Sequence, residues 1–144
     1  MGLPNVLYDV FKRPGMHLPT IEFDVLAAFI QGFDTACNGG VLLGFREWML
    51  MKLDSGNNLS WFALAKLLEA TRRHLDEIQV ADERSSVEFL IALLSEFSAE
   101  RDGPNGLRGI YVRYQAWIQN QPHFVKSSDT LHSATSMHPM RIWG

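Results

Sequence analysis

Hydrophobic positions recur at helical spacing in six stretches of this chain. Val6, Leu7, Val10 and Phe11 share a face of a short helix over 5–12. Pro14-Gly15 should stop it, since proline restricts Arg13 and glycine permits a sharp turn. Thr20 offers an N-cap to a second helix, with Glu22 and Asp24 suited to its dipole. Its apolar stripe reads Ile21, Val25, Ala28, Phe29 and Phe33, and Asn38-Gly39-Gly40 should end it. A third helix is expected over 43–53 with Phe45, Trp48, Met49 and the stem of Lys52 facing inward. The turn formers Asp54-Ser55-Gly56-Asn57-Asn58 follow. A fourth, over 60–74, turns Trp61, Leu64, Ala65, Leu67 and Leu68 to the core.

Ser85 and Glu88 are spaced as a capping box for a fifth helix carrying Val87, Phe89, Leu90, Leu93, Leu94 and Phe97. After the loop Gly103-Pro104-Asn105-Gly106, a sixth stripe reads Leu107, Ile110, Tyr111, Tyr114, Trp117 and Ile118. Ile110-Tyr111-Val112 alone would suit a strand, but the longer period argues for a helix. The expectation is an all-α fold: a compact bundle of five to six helices over 1–120, with an irregular tail over 121–144. That tail is rich in Ser, Thr, His and Pro, and its Trp143 would need a surface to dock on.

Composition adds little about chemistry and more about surroundings. The chain has 144 residues, enough for one domain with its own core, and 47% are hydrophobic. Its formal net charge of −3 does not favour non-specific attraction to nucleic acid. The charge is uneven: residues 69–102 hold nine acids against four arginines, while 103–144 hold four basic residues against one acid. The single cysteine, Cys37, permits no intrachain disulfide and fits a reducing compartment. The start Met-Gly-Leu-Pro-Asn lacks the basic and apolar regions of a signal peptide, and no apolar run is long enough to span a bilayer. A cytoplasmic protein without membrane contact is expected.

Catalytic signatures are missing: there is no G-x-S-x-G, H-E-x-x-H, C-x-x-C or phosphate-binding loop. Cys37 falls at a helix C-terminus, where the dipole disfavours a thiolate, so it reads as structural. His74-x-Asp76-Glu77 reads as a helix-end histidine with solvated acids. His123, His132 and His138 are too irregularly spaced for a metal site. The basic run Arg72-Arg73-His74 is flanked by acids that oppose phosphate binding. Trp48, Trp61 and Trp117 lie on apolar stripes and read as core. No enzyme activity, cofactor or metal is expected.

One stretch carries a resemblance. Lys12-Arg13-Pro14-Gly15-Met16 also occurs in gyrase-type ATPases, but the Gly-rich ATP loops those enzymes need are lacking. Arg13, Pro14, Gly15, Met16 and Leu18 instead resemble the Arg-Pro-Gly-Met-Tyr-Leu opening of a group of small bacterial proteins, with His17 in the tyrosine position. Leu26, Phe29 and Gly32 match that group's next helix, and Phe45, Trp48, Asn58 and Trp61 its later anchors. The resemblance runs from Arg13 to about Phe97. It implies an immunity protein of a polymorphic toxin or contact-dependent growth inhibition system, whose partner is a cognate protein toxin such as a basic nuclease domain. The alternative is an adaptor or chaperone for a secreted effector, or a helical binding protein of another kind. An immunity protein for a basic toxin needs a complementary face, and the acidic stretch Asp76, Glu77, Asp82, Glu83 and Glu88 is the candidate. Arg13, Pro14, Gly15, Met16, Trp48 and Trp61 would be structural.

Overall fold

The computed structural model describes residues 3–73 and 82–122. Those residues form seven α-helices and no strand: α1 (Asn5–Lys12), α2 (Pro14–His17), α3 (Phe23–Ala36), α4 (Phe45–Leu53), α5 (Trp61–Arg73), α6 (Glu83–Arg101) and α7 (Gly106–Gln119). The all-α expectation holds, with one helix more than the sequence suggested. The addition is α2. Pro14 sits at its first position, where a missing N–H costs nothing, so the residues expected to form a sharp turn begin a new helical turn instead.

The middle of the molecule is built on α4. Phe45, Trp48, Met49 and Leu50 are all buried. Leu50 lies about 200° around the helix from Trp48, so no single stripe describes this element. It packs against α5, α6 and α7, while α3 packs on α6. An aromatic cluster ties the first three together. The Phe45 ring is 5.0 Å from Phe97 on α6 and 5.8 Å from Trp61 on α5, and Trp48 is 5.7 Å from Phe97. Each fully buried side chain of this size contributes about 1.5–3 kcal/mol.

Leu67, expected in the core, and Val6, expected on the apolar face of α1, are both exposed, and three further details move. First, α3 starts at Phe23 with Glu22 in the N-cap position, not Thr20, and its buried face is Phe23, Leu26, Ala27, Ile30 and Asp34. Val25, Phe29 and Phe33 are only half-buried and Ala28 is exposed. So many residues over 21–33 are apolar that two neighbouring helical phases both fit, and packing on α6 selects between them. Second, α6 begins two residues before Ser85, with Asp82 as N-cap, so Ser85 and Glu88 form no capping box. Third, the inward stripe of α7 is real but shallow: Ile110 is buried, whereas Leu107, Tyr111, Tyr114, Trp117 and Ile118 are half-buried.

Two connections depend on glycine. Gly44 holds φ +87° before α4, and a Cβ there would lie 2.7 Å from Leu107 Cδ1. Gly56 holds φ +88° in the α4–α5 loop, where a Cβ would lie 2.7 Å from Leu64 Cδ2. The chain thus passes close against α7 and α5 at backbone angles that L side chains avoid. No described helix is long and apolar enough to cross a membrane.

Candidate functional site

The residues of the opening motif are organised by one that the motif omits. Asp9 on α1 receives the Arg13 guanidinium on Oδ1 at 2.6 Å and faces His17 Nε2 from Oδ2 at 2.9 Å. Hydrogen bonds from Arg13 and then His17 hold the Asp9 carboxyl below its ordinary range. This fastens the single turn of α2 to α1. Leu18 closes it by donating its N–H to Pro14 O at 2.8 Å and burying its side chain, while Met16 is 77% exposed. Asp9 was legible as an i, i+4 partner of Arg13, a spacing the motif reading passed over.

Trp48 and Trp61 are core residues with directed polar edges. Trp48 Nε1 donates to Glu100 Oε2 at 2.5 Å, and Trp61 Nε1 to Gln31 Oε1 at 2.7 Å. Lys52 is exposed rather than inward-facing, but its Nζ lies 4.4 Å from the Trp48 ring centre. Burial works to raise the Glu100 carboxyl, but hydrogen bonds from Trp48 and Arg113 outweigh it and hold it below the usual value. Trp117 is half-buried rather than core, and its Nε1 donates to Asp54 Oδ1 at 2.7 Å.

The acidic candidates divide. Asp76 and Glu77 lie outside the described residues, as do His74, the tail histidines and Trp143. Asp82 is exposed at the N-cap of α6 and makes no side-chain cap. Glu83 turns toward α3, and its Oε2 accepts the Phe23 N–H at 2.8 Å. It therefore satisfies an orphan donor at the start of a helix 60 residues away. Glu88 is exposed, about 140° around α6 from Glu83, so those two do not share a face. The Glu83–Phe23 bond instead brings in Glu22, which the sequence reading left in a helix start. Next to it, Asp24 pairs with Lys66 of α5 at 2.8 Å, and Lys66 Nζ lies 5.0 Å from the Phe23 ring centre. One turn before Lys66 on α5 stands Phe62, 45% exposed. The result is an edge where Glu22, Asp24, Asp82 and Glu83 outnumber Lys66 and Arg84 around two helix N-termini, with the exposed Phe62 one turn from Lys66.

The two arginines of the basic run are consumed internally. Arg72 pairs with Glu96 at 3.0 Å. Arg73 reaches Glu69 at 3.5 Å and donates to Ser85 O at 2.9 Å. Glu69 is 4% exposed and also accepts the Ser86 hydroxyl at 2.8 Å, so these side chains lock α5 to α6. At the other end of α6, Arg101 donates to Val41 O at 2.7 Å, and Asp34 accepts the Leu42 N–H at 2.8 Å. Together they hold the α3–α4 connection. Cys37 caps α3 where expected, but its side chain is exposed rather than packed.

Two larger concavities open elsewhere. One, of about 800 Å³, lies between the end of α6 and the start of α7 and includes Glu100, Arg108, Val112 and Arg113. The other, of about 520 Å³, lies between the α4–α5 loop and the end of α7. Among the described residues, no group of three or more His, Cys, Asp or Glu side chains could hold a metal ion. Set beside protein-family models, curated proteins and solved structures, the chain matches none of them.

Proposed function

We propose that this chain is an immunity protein that neutralises a cognate bacterial toxin by binding it stoichiometrically. The observation that carries the reading is the acidic edge at the α3 and α6 N-termini, where Glu22, Asp82 and Glu83 come from two distant segments joined by the Phe23–Glu83 hydrogen bond. A negative surface of this kind accelerates encounter with a basic toxin and covers a phosphate-binding cleft. Phe62 supplies the apolar anchor such an interface needs, since a few aromatic residues carry most binding energy. The resemblance of the Arg13–Leu18 segment to immunity proteins points the same way.

The toxin is expected beside this chain in the genome. Expression of the neighbouring reading frame should arrest growth, and co-expression of this protein should restore it. Toxicity that persists in its presence, or no toxicity from either neighbour, overturns the reading. Within a protecting pair, Asp82→Lys should slow association at low salt and have little effect at high salt, where charge is screened.

A further inference from the structure

The concavity at the α4–α5 loop has a composition that the toxin-binding reading does not use. It is formed by Ser55, Gly56, Asn57, Asn58, Trp117, Ile118, Gln121 and Pro122, and none of these described lining residues is charged. Its loop is held from several directions. Arg46 donates from Nε to Leu59 O at 3.0 Å and from Nη2 to Asn57 O. Leu59 N–H bonds Gly56 O at 2.9 Å. Asp54, itself at φ +53°, receives the Trp117 indole and ties the loop to α7. Every one of these bonds uses loop backbone or Asp54. The Asn57 and Asn58 carboxamides remain exposed, with no partner among the described residues. Gln121 spends one amide hydrogen on Trp117 O at 3.3 Å and keeps its carbonyl oxygen.

The geometry points to a binding site for a neutral carbohydrate. Each carboxamide presents donors and an acceptor side by side, which matches neighbouring hydroxyl groups on a sugar ring. Trp117, Ile118 and Pro122 supply apolar surface for the ring's C–H groups. A volume of about 520 Å³ falls in the range of small-ligand pockets and suits a mono- or disaccharide. The described lining residues supply amides and apolar surface and no charge, which favours a neutral ligand. An extended peptide would ask for a groove or a free sheet edge, whereas this is a compact pocket. Because the loop is fixed before the ligand arrives, little ordering entropy opposes binding. The proposal does not depend on the toxin-binding reading.

The test uses the full chain and NMR of its side-chain amide and indole N–H groups. Maltose, lactose and N,N′-diacetylchitobiose are titrated separately, with an uncharged blocked tripeptide, N-acetyl-Ala-Gly-Ala-amide, as the competing ligand class. The expected result is saturable movement of the Trp117 indole and the Asn57, Asn58 and Gln121 amide signals with at least one sugar. Asn58→Ala, on an exposed loop, should keep the helical circular dichroism and weaken that binding about tenfold, the loss of one ligand hydrogen-bond pair. Trp117→Phe should weaken it as well. No saturable movement with any sugar, binding unchanged in Asn58→Ala, or saturation by the peptide in place of the sugars overturns the proposal.

Discussion

At the scale of single residues, several charged side chains that a sequence reading assigns to the surface hold helices together. Glu83 is the clearest case. Its carboxylate closes the N-terminus of α3, so Glu83→Ala should cost about 1 kcal/mol in urea unfolding, the usual worth of a helix cap. Asp82→Ala should cost much less, because Asp82 caps through its backbone alone. The pair thus separates stability from the proposed toxin association: Asp82 tests charge, whereas Glu83 tests charge and fold together. Glu96 makes a prediction about acid. The Arg72 hydrogen bond holds its carboxyl below the ordinary 4.5, against a smaller opposing effect of burial. A carboxyl depressed on folding stabilises fully above its unfolded pKa, and the benefit fades as pH falls through the folded value. Glu96→Gln should therefore lower stability at neutral pH and flatten the acid limb below about pH 4.5. The effect should be small, since the Glu96 side chain is 43% exposed and solvent screens the pair. Trp48→Phe removes one donor and also leaves a gap where part of a fully buried indole packed. It should cost about 2–3 kcal/mol, mostly from the gap, because Glu100 retains Arg113 and access to water.

At the scale of elements, α7 is held by a shallow face. One fully buried residue, Ile110, and five half-buried ones hold it against α4 and α6. Gly44 sets how closely it approaches. A methyl group at that position meets Leu107 and must adopt a left-handed backbone angle, so Gly44→Ala should cost about 1–2 kcal/mol. The loss should be local. Hydrogen exchange in α7 should quicken before that of α4, whose amides belong to the aromatic core. If both elements quicken together, α7 is part of the cooperative centre. α2 illustrates the opposite situation, a single turn with no buried residue of its own, fixed by Asp9 and by Leu18 just beyond its end. A four-residue helix has too few backbone bonds to form alone, so its shape comes from those tethers.

At the scale of the whole molecule, the core and the proposed contact surface are separable. Phe62 is 45% exposed and meets the core only edge-on at Trp61, 5.7 Å between ring centres, so Phe62→Ala should lower the thermal midpoint far less than a core truncation. In a protecting pair it should still weaken toxin binding by about 2 kcal/mol, roughly thirtyfold, if it anchors the interface. Unaltered affinity would remove Phe62 from the contact. Phe45→Ala should do the reverse: it removes the ring shared by α4, α5 and α6 and costs about 3–5 kcal/mol, much of the stability of a domain this size.

Helix identity was legible along the chain because it depends on local period and punctuation. Leu43–Leu53, the Asp54–Asn58 turn and the Leu107–Ile118 stripe each declare themselves within a dozen residues. The aromatic core was legible too, since Phe45, Trp48 and Trp61 are large, apolar and correctly phased. The phase of α3 was not: a nearly continuous apolar run fits two faces equally well, and only its neighbours choose. Nor was the acidic edge legible in its final form. Asp82, Glu83 and Glu88 look like one cluster in sequence, yet the helix turns Glu88 away while a hydrogen bond across 60 residues adds Glu22. The pocket at Asn57, Asn58 and Trp117 likewise joins residues about 60 apart in the chain. Local periodicity determines which segments become helices and which of their faces are apolar. Only tertiary packing decides which polar side chains meet, because those meetings depend on the angles and spacings between helices.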